Sequence, residues 1–369
     1  MNISYLGVHC DGSGYSQAGI DYILAIDSVG LNVKPVTLHL NGLNNQDLPK
    51  RFFELEKKKI SQTDVVIQHY LPSMFQYSGK VKNIGLFAWE TDKLPSLWVN
   101  RLNQMVDEVW VINNQQKQAC ISSGVKKAIQ VIPHAVDVNK FNKHYEPLEQ
   151  IKSVTNNNFI FYTICEFGRR KNLEALLRAF HTEFEPGEPV ELILKINKSG
   201  LSDEQTSSML SEFCKKVKES LGKFSNLNYY KRDITITNRI NEESLMRLHE
   251  TCDCYINTSF GEAWSIPTVD SLGLGKSVIA PASTGFLDYL NSDCAWLIPT
   301  IKVPCFASDN ISLYDSSQNW WSIDINELKQ TMRHVYSNKE ERKCKSILAK
   351  ERVFNYSYQK IGELIKSKL

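Results

Sequence analysis

Strand-like and helical segments alternate along almost the whole chain, and this alternation restricts its fold more than any other feature. The first series of apolar, strand-like segments comprises "ISYLGV", "PVTLHL", "DVVIQHY", "NIGLFAW", "EVWVIN" and "IQVIPHAVD". The second series comprises "FIFYTICEF", "VELILKIN", "NLNYYKR", "CDCYINTS" and "KSVIAP". Strands that alternate with helices form parallel sheets covered on both faces. The sequence therefore predicts an α/β fold.

A polar stretch separates the two series and predicts a division into two domains. The segment "NKHYEPLEQIKSVTNNN" has no strand pattern and is typical of a linker. A chain of 369 residues is long enough for two domains of about 150 residues each. We predict two Rossmann-like domains that face a cleft, the first over 1–145 and the second over 155–350. Ligands of open parallel sheets bind outside the carboxyl ends of the strands.

Composition narrows the classes of partner. The net charge is +2, so no global basic field favours nucleic acid or an anionic membrane. The densest basic cluster, Lys57–Lys59, is predicted to be a solvated helix face, with a membrane-surface patch as the alternative. The nine cysteines have no zinc-site spacing and predict reduced thiols in a cytoplasmic protein. The N-terminus lacks the pattern of a signal peptide, and no segment approaches 18 apolar residues.

The segment "SFGEAWSIPTVDSLGLGKSVIAP", from Ser259 to Pro281, places two acids around a predicted helix start. Glu262 lies in the loop that follows the strand "CDCYINTS", and Asp270 lies in the first turns of the next helix. Pro267 suits the first helical position, and Gly275 suits the C-terminal cap. Because helix N-termini bind phosphate, the two acids could hold sugar and ribose hydroxyls beside it. The alternative is that both acids cap the helix and complement its dipole.

A basic run precedes a second predicted helix. Arg169, Arg170 and Lys171 come directly before an apolar helical pattern from Leu173 to Phe184, and Asn172 suits the N-cap. Cations at a helix N-terminus are unfavourable unless an anion joins them. A nucleotide diphosphate would supply that anion, whereas solvated surface cations are the alternative.

The segment from Ser259 resembles the donor-site signature of retaining glycosyltransferases of family 4. That signature has a glutamate, a Gly-aromatic-Gly-Leu-Pro run, a second glutamate after seven residues, a glycine and "PVI". The residues that match in order are Glu262, Trp264, Ile266, Pro267, Asp270, Gly275, Val278 and Ile279. Ala263 and Ser265 stand where the family usually has glycines, and Asp270 replaces the second glutamate.

The resemblance extends along most of the chain. The segments that are similar to family segments include "FAWETDKLPSLWVNRLNQMVDEVWVINNQQKQACISSGV", "IQVIPHAVDVNKF", "EFGRRKNLEALLRAF" and "YSYQKIGELIKSKL". The resemblance implies the GT-B fold, in which a last helix, here about 355–369, crosses back to the first domain. It also implies transfer of a sugar from a UDP- or GDP-linked donor to an acceptor hydroxyl with retention of configuration. No metal or other cofactor is implied.

The resemblance also implies roles for individual residues. Lys171 and one arginine, preferably Arg170, would neutralise the diphosphate, aided by the backbone N–H groups of Ser265 and Ile266. Glu262 would hold donor-sugar hydroxyls, and Asp270 would hold the ribose. The residues expected to bind the donor are Gly12, Gly14, Arg169, Arg170, Lys171, Trp264, Ser265, Ile266 and Asp270, and those expected to be catalytic are Glu262, Glu90 and His69.

The first domain contributes a loop and two strand ends to this expected site. Gly12 and Gly14, in "HCDGSGYSQAG", permit close approach to a ligand, with a plain turn as the alternative. The loop lacks G-x-G-x-x-G and the second strand ends without an acid, which disfavours a dinucleotide site. Glu90 follows "IGLFAW", where many family members have a histidine that contacts the donor sugar. His69 ends "VVIQH". A structural ion pair for Glu90 and a structural histidine for His69 are the alternatives.

The predicted acceptor is a glycan or a lipid-linked glycan, which is the usual assignment in the family. A nucleic acid acceptor and a peripheral membrane contact stay open.

Two other functions remain as alternatives to glycosyl transfer. The first is a non-catalytic partner subunit that binds a nucleotide-sugar, which transfer to an acceptor would exclude. The second is a GT-B epimerase or phosphorylase, which acceptor-free isomerisation or phosphate-dependent turnover would reveal.

Overall fold

A computed structural model describes residues 1–39, 48–306 and 313–369 of the chain. The strands in these ranges are β1 (Asn2–Gly7), β2 (Asn32–Thr37), β3 (Val65–His69), β4 (Lys82–Phe87), β5 (Glu108–Val111), β6 (Ala128–Val131), β7 (Phe159–Glu166), β8 (Val190–Asn197), β9 (Asp233–Ile236), β10 (Cys254–Ile256), β11 (Ser277–Pro281), β12 (Trp296–Ile298), β13 (Thr300–Pro304) and β14 (Asn319–Ile323). The α-helices are α1 (Gly14–Ser28), α2 (Lys50–Glu56), α3 (Ser96–Met105), α4 (Asn114–Ser122), α5 (Glu149–Thr155), α6 (Leu173–Glu183), α7 (Asp203–Leu221), α8 (Glu242–Thr251), α9 (Ile266–Gly273), α10 (Phe286–Tyr289), α11 (Ile325–Ser337), α12 (Lys339–Val353) and α13 (Tyr358–Lys368).

The first six strands form one parallel sheet in the order β2-β1-β3-β4-β5-β6. The chain leaves β1 for β2 on one side and later returns as β3 on the other side. The loops that follow β1 and β3 therefore diverge and leave a crevice at their carboxyl ends. Pro35 lies in β2, an edge strand of this sheet, where a missing N–H removes no essential ladder bond.

The second sheet repeats this plan with strands β7–β12. Its order is β12-β11-β10-β7-β8-β9, and every neighbouring pair is parallel. The order reverses between β7 and β10, so the loops after these two strands flank a second crevice. The predicted α/β fold with two Rossmann-like domains is confirmed, whereas the predicted boundaries at 145, 155 and 350 stay predictions.

The predicted crossing of the last helix to the first domain is confirmed. Helix α13 packs on α1, where Gly362 lies so close that an added Cβ would collide with the carbonyl oxygen of Ala25. The hydroxyl of Tyr358 donates to a carboxylate oxygen of Asp21 in α1 at 2.6 Å. A glycine at position 362 thus permits the close packing that attaches α13 to the first domain.

Apolar side chains join the two domains into a continuous core. Ile132, Phe141 and Ile151 belong to the same buried cluster as Val269 and Leu272 of α9. The segment between the sheets is thus packed against both domains and is not an exposed tether. Within the three described ranges, no helix is both long and apolar enough to cross a membrane.

Three local predictions differ from the structure. "NLNYYKR" was expected to be a strand, but Leu227–Tyr229 form a single 3₁₀ turn and the strand is β9. The hydroxyl of Tyr230 accepts the backbone N–H of Lys223 at 2.9 Å and holds this segment in a loop. "PVTLHL" is only partly strand, because β2 ends at Thr37 and Leu40 lies outside the described residues. The Lys57–Lys59 cluster follows α2 and does not lie on a helix face.

An antiparallel hairpin was not predicted from the sequence. Strands β13 and β14 pair from Thr300 opposite Ile323 to Pro304 opposite Asn319. The hairpin reaches the first domain, where both carboxylate oxygens of Asp92 accept hydrogen bonds of 2.8 Å from Asn319. The hairpin therefore closes one side of the boundary between the domains.

Candidate active site

The loops that follow β7 and β10 bring the basic run next to Glu262. Arg169–Lys171 form one 3₁₀ turn. The hydroxyl of Thr258, directly after β10, donates to the carbonyl of Lys171 at 3.2 Å, and the N–H of Phe260 donates to the carbonyl of Arg170 at 2.8 Å. These hydrogen bonds, from the loop after β10 to the backbone of the loop after β7, fix the 3₁₀ turn at the carboxyl ends of the two strands.

Asn172 does not make the predicted side-chain cap. It precedes α6, but its side chain forms no capping bond, and its backbone is left-handed with φ 50°. Asparagine tolerates this conformation better than most residues. Its role here is to turn the chain between the 3₁₀ turn and α6.

Glu262 is buried and lies between two cations. Its carboxylate is 2.5 Å from Lys171 Nζ and 3.1 Å from Arg170 Nη1, and it accepts a hydrogen bond of 2.7 Å from the hydroxyl of Ser259. Burial opposes ionisation, but Lys171 and then Arg170 outweigh it and hold the pKa of Glu262 at about 2. Glu262 is therefore ionised at neutral pH.

Arg170 connects Glu262 to the first domain. Its Nε lies 2.9 Å from the carboxylate of Glu90, which follows β4, and its Nη1 donates to the carbonyl of Gly261 at 2.7 Å. The hydroxyl of Tyr314 also donates to Glu90. Burial disfavours the guanidinium, but Glu90 and Glu262 raise the pKa of Arg170 above its usual value. Two carboxylates of the protein thus provide the anionic charge that the basic run requires.

Arg169 turns away from this cluster. Its Nη1 lies 3.3 Å from the carboxylate of Glu174, and its guanidinium carbon lies 4.5 Å from the ring centroid of Phe306. The structure thus brings Arg170 and Lys171 to Glu262 but does not bring Arg169 there.

Ser265 and Ile266 lie where α9 begins. Ser265 has φ 77°, a left-handed conformation that favours glycine, which gives a physical reason for the glycine usual in the resembled family. Its hydroxyl is 2.7 Å from that of Thr268 and accepts from Asn257 Nδ2 at 3.2 Å. Helix α9 starts at Ile266, so Pro267 occupies the second helical position and not the predicted first.

Trp264 belongs to the core that joins the domains. Its ring is 2% exposed and lies 4.6 Å from Tyr289 and 4.9 Å from Tyr356, measured between ring centroids. The hydroxyl of Tyr289 donates to the carbonyl of Trp264. The side chain of Trp264 therefore packs in the core against Tyr289 and Tyr356 and does not lie beside Arg170 and Lys171.

Asp270 is buried against the segment that connects the domains. Its carboxylate lies 2.8 Å from Lys140 Nζ, which also lies 3.5 Å from Glu242. Burial raises the pKa of Asp270, and Lys140 opposes that rise. Its side chain is only 3% exposed, so the predicted contact with a ribose would require this ion pair to rearrange. That contact stays a prediction.

The glycine-containing loop after β1 meets the second domain. Gly12 has φ 66°, and Nη2 of Arg239, which follows β9, donates to the carbonyl of Asp11 at 2.5 Å. A Cβ at Gly12 would collide with that guanidinium. Gly14 starts α1 and has open space around it. Sequence reasoning missed Arg239 because it placed the preceding strand one segment too early.

His69 lies under this loop in a group of buried histidines. Its Nδ1 is 2.8 Å from the hydroxyl of Tyr5, whereas its Nε2 has no hydrogen-bond partner among the described residues. Burial lowers the pKa of His69 well below its usual range, that of His9 to about 4 and that of His134 to about 3. All three are neutral at pH 7. His9 was not predicted, although it follows β1 much as His69 ends β3.

Comparisons with known proteins identify the fold. No protein-family model matches the chain, and no curated protein matches it by sequence. Sucrose-phosphate synthase from Thermosynechococcus elongatus superposes with a TM-score of 0.67 at 14% identity, over 100% of this chain and 98% of that chain. HepE from Anabaena, solved with UDP and glucose, gives 0.71 at 12% identity over 100% and 99%. Trehalose-6-phosphate synthase OtsA gives 0.68 at 10% identity over 100% and 98%. The chain has the GT-B fold.

Proposed function

We propose that the protein is a glycosyltransferase that moves a sugar from a nucleotide-sugar donor to an acceptor hydroxyl. The observation that carries the proposal is the buried, ionised Glu262 with Arg170 and Lys171, at the point where the strand order of the second sheet reverses. Structures with the same fold support it, because HepE was solved with UDP-glucose and a trehalose-6-phosphate protein from E. coli with UDP-2-fluoroglucose.

The two cations would stabilise the leaving nucleotide. As the bond between the sugar and the diphosphate breaks, negative charge grows on the phosphate oxygen, and preorganised cations lower the energy of that state. Arg170 offers a planar fork of donors and Lys171 a point charge, so the two fit different phosphate oxygens. The backbone N–H groups of Ser265 and Ile266 would add donors at the start of α9.

Glu262 would act on the sugar side of the breaking bond. It would accept hydrogen bonds from donor-sugar hydroxyls and stabilise the positive charge that develops on the sugar ring. Its depressed pKa keeps it ionised for this role. Retention follows from the family resemblance, with the leaving phosphate assisting deprotonation of the acceptor on the same face of the sugar.

The charges imply that the donor displaces a carboxylate. Glu90 and Glu262 together balance Arg170 and Lys171, so an added diphosphate would leave the site with excess negative charge. Glu90 belongs to the other domain, whereas Glu262 lies in the same domain as Arg170 and Lys171, so we propose that Glu90 is the carboxylate that gives way. Donor binding would therefore exchange Glu90 for phosphate at Arg170 and loosen the contact between the domains there.

The acceptor is proposed on the family resemblance, and the cytoplasmic setting on the nine cysteines that predict reduced thiols. We propose a glycan or lipid-linked glycan acceptor, a cytoplasmic protein and, as the resemblance implies, a reaction without a metal. Asp270 is proposed to reach the ribose after its pair with Lys140 opens. We propose that His69, in its neutral form, has a structural role in the wall of the cleft.

A thermal-shift screen of UDP- and GDP-sugars tests the proposal. A ligand at 100 times its dissociation constant adds about 2.7 kcal/mol of stability, which is readily measured. We expect at least one nucleotide-sugar to stabilise the protein and, with a glycan acceptor, to yield a product whose anomeric configuration NMR shows to be retained. Stabilisation by none of these ligands would contradict the proposal, and a product of inverted configuration would contradict retention.

A further inference from the structure

A cavity of about 410 Å³ lies between the two domains, next to the candidate active site. Asn114 and Gln115 line it from the first domain, Ser283 and Asp288 from the loop after β11 and α10, and Trp321 from β14. This volume falls within the range of about 300–1,000 Å³ typical of small-molecule sites. We propose that the cavity binds a neutral sugar unit of the acceptor glycan. This inference rests on the proposed function for the identity of the glycan.

The cavity offers an aromatic face. Trp321 is only partly buried, and its backbone N–H donates to the carbonyl of Phe260 at 2.8 Å, which fixes the strand that carries it. Lys302 lies opposite Trp321 in the hairpin, with Nζ 5.5 Å from the ring centroid. An indole presents a broad face with negative π density, and the C–H face of a pyranose ring can stack on the face that Lys302 does not cover.

Polar groups around the indole match the hydroxyls of a sugar. Asp288 Oδ2 accepts hydrogen bonds from the backbone N–H of Asn114 at 3.0 Å and from its Nδ2 at 2.8 Å. Both bonds reach Oδ2, so among the described residues no hydrogen bond reaches Oδ1, which is left as an acceptor. Burial raises the pKa of Asp288, and the two bonds from Asn114 limit that rise. A sugar hydroxyl donating to Oδ1 would add a further bond to the ionised form.

Two buried polar atoms of lining residues have no partner. Ser283 Oγ and Gln115 Oε1 make no hydrogen bond to any described residue, although Gln115 Nε2 donates to the carbonyl of Thr91 at 2.9 Å. A buried polar group without a partner costs about 1–3 kcal/mol. Hydroxyl groups can donate to the amide oxygen and can both donate to and accept from a serine, so a carbohydrate could satisfy both atoms after a small movement of the loops.

The charges favour a neutral ligand. Lys302 is paired with Asp92 at 3.4 Å, and Asp288 adds a negative charge to the wall. The cavity therefore has no unpaired cation among the described lining residues, which disfavours phosphate and nucleotide. A neutral sugar meets no such penalty.

The wall of the cavity is bonded directly to the loop that carries Glu262. The N–H of Glu262 donates to the hydroxyl of Thr284 at 3.3 Å, and the N–H of Gly285 donates to the carbonyl of Glu262 at 2.9 Å. Thr284 has φ 54°, a strained conformation for a β-branched residue. A sugar in the cavity would contact both domains and this loop at once, so its binding would help to position Glu262 when the acceptor is present.

Saturation-transfer NMR on the full chain tests the proposal, with the methyl glycosides of glucose, galactose, mannose and N-acetylglucosamine as probes. We expect at least one glycoside to bind. Trp321→Ala should weaken that binding at least about tenfold, and Trp321→Tyr should retain it. Leu287 lines the cavity but is 51% exposed, so Leu287→Trp should block the cavity without removing core packing. UDP affinity, titrated separately, should be unchanged in all three variants.

Failure of every glycoside to bind the wild-type protein would overturn the proposal. Binding that survives both Trp321→Ala and Leu287→Trp would also overturn it, because the sugar would then lie elsewhere. If UDP binds in either case, the proposed transferase function is not contradicted. Conversely, glycoside binding that depends on Trp321 and Leu287, in a protein that binds no nucleotide, would support the cavity and contradict the transferase.

Discussion

Glu262 shows how the chemistry of a residue follows from its place in the sheet. It lies in the loop that follows the switch strand β10, and this loop meets the loop after β7, which carries Arg170 and Lys171. Burial strengthens the attraction between these groups because little water screens it. Arg169, one position away, faces Glu174 instead. Adjacent cations of one short turn are thus separated into two environments.

Glu262→Gln should reduce turnover about 100-fold and leave nucleotide affinity equal to or above that of the wild type. The amide cannot stabilise the positive charge of the reacting sugar, whereas its loss of charge leaves Arg170 and Lys171 more available to phosphate. Release of UDP or GDP from the donor found in the screen, together with calorimetry, measures both quantities. Glu174→Gln, which changes the partner of Arg169, serves as the control. Near-normal turnover of Glu262→Gln would indicate a structural ion pair.

Some site residues were predictable and others were not. The loops that carry Glu262 and the basic run were located because a strand, a loop and a helix start can be read locally, whereas the choice of Arg170 and Lys171 within the run rested on the family resemblance. The contacts of Glu90 with Arg170, and of Arg239 with Asp11, join segments 80 and 228 positions apart, so no local pattern predicts them. The environment of Asp270 depends on Lys140 in the same way, since that lysine reaches it from the segment between the domains.

Among the elements, those that alternate regularly were predicted best. Strands β3, β5, β7, β8, β10 and β11 lie within the segments that their apolar runs marked, and β1, β4 and β6 each begin one residue before theirs. The segment "NLNYYKR" misled because tyrosines favour strands, although Tyr230 uses its hydroxyl to hold a turn. The hairpin β13–β14 was missed because it pairs two short strands across a long connection and departs from the alternation of strand and helix.

Gly362→Ala should destabilise the protein by about 1–3 kcal/mol, the usual cost of forcing an added methyl group into a packed site. The methyl group would meet the carbonyl of Ala25 and push α13 away from α1. Urea unfolding followed by circular dichroism measures the change. Gly187→Ala is the matched control, because an added Cβ there has no neighbour within 4 Å. Equal stability of the two variants would contradict the tight docking of α13.

At the scale of the whole molecule, the two domains are joined by polar contacts across the cleft. Asn113 Nδ2 donates to the carbonyl of Ala263 at 2.7 Å, and Asp92 is bound by Asn319 and Lys302. The alternation of elements predicted each domain, but it could not predict how closely they approach. The distance between the domains depends on these cross-domain contacts. The close approach brings the carboxylate of Glu90 to Arg170, the cation that is proposed to bind the donor phosphate.

Calorimetric titration of UDP and GDP into the wild type and three single variants tests most directly whether Arg170 and Lys171 form a diphosphate site. Loss of a charge-assisted hydrogen bond costs roughly 1.5–3 kcal/mol, so Arg170→Ala and Lys171→Ala should each weaken the preferred nucleotide roughly ten- to hundredfold. Arg169→Ala removes an equal charge from the same turn but leaves Glu262 and its partners in place, so its affinity should stay within about threefold of the wild type. Equal affinity of all four proteins, or a loss as large in Arg169→Ala as in the other two, would contradict the assignment.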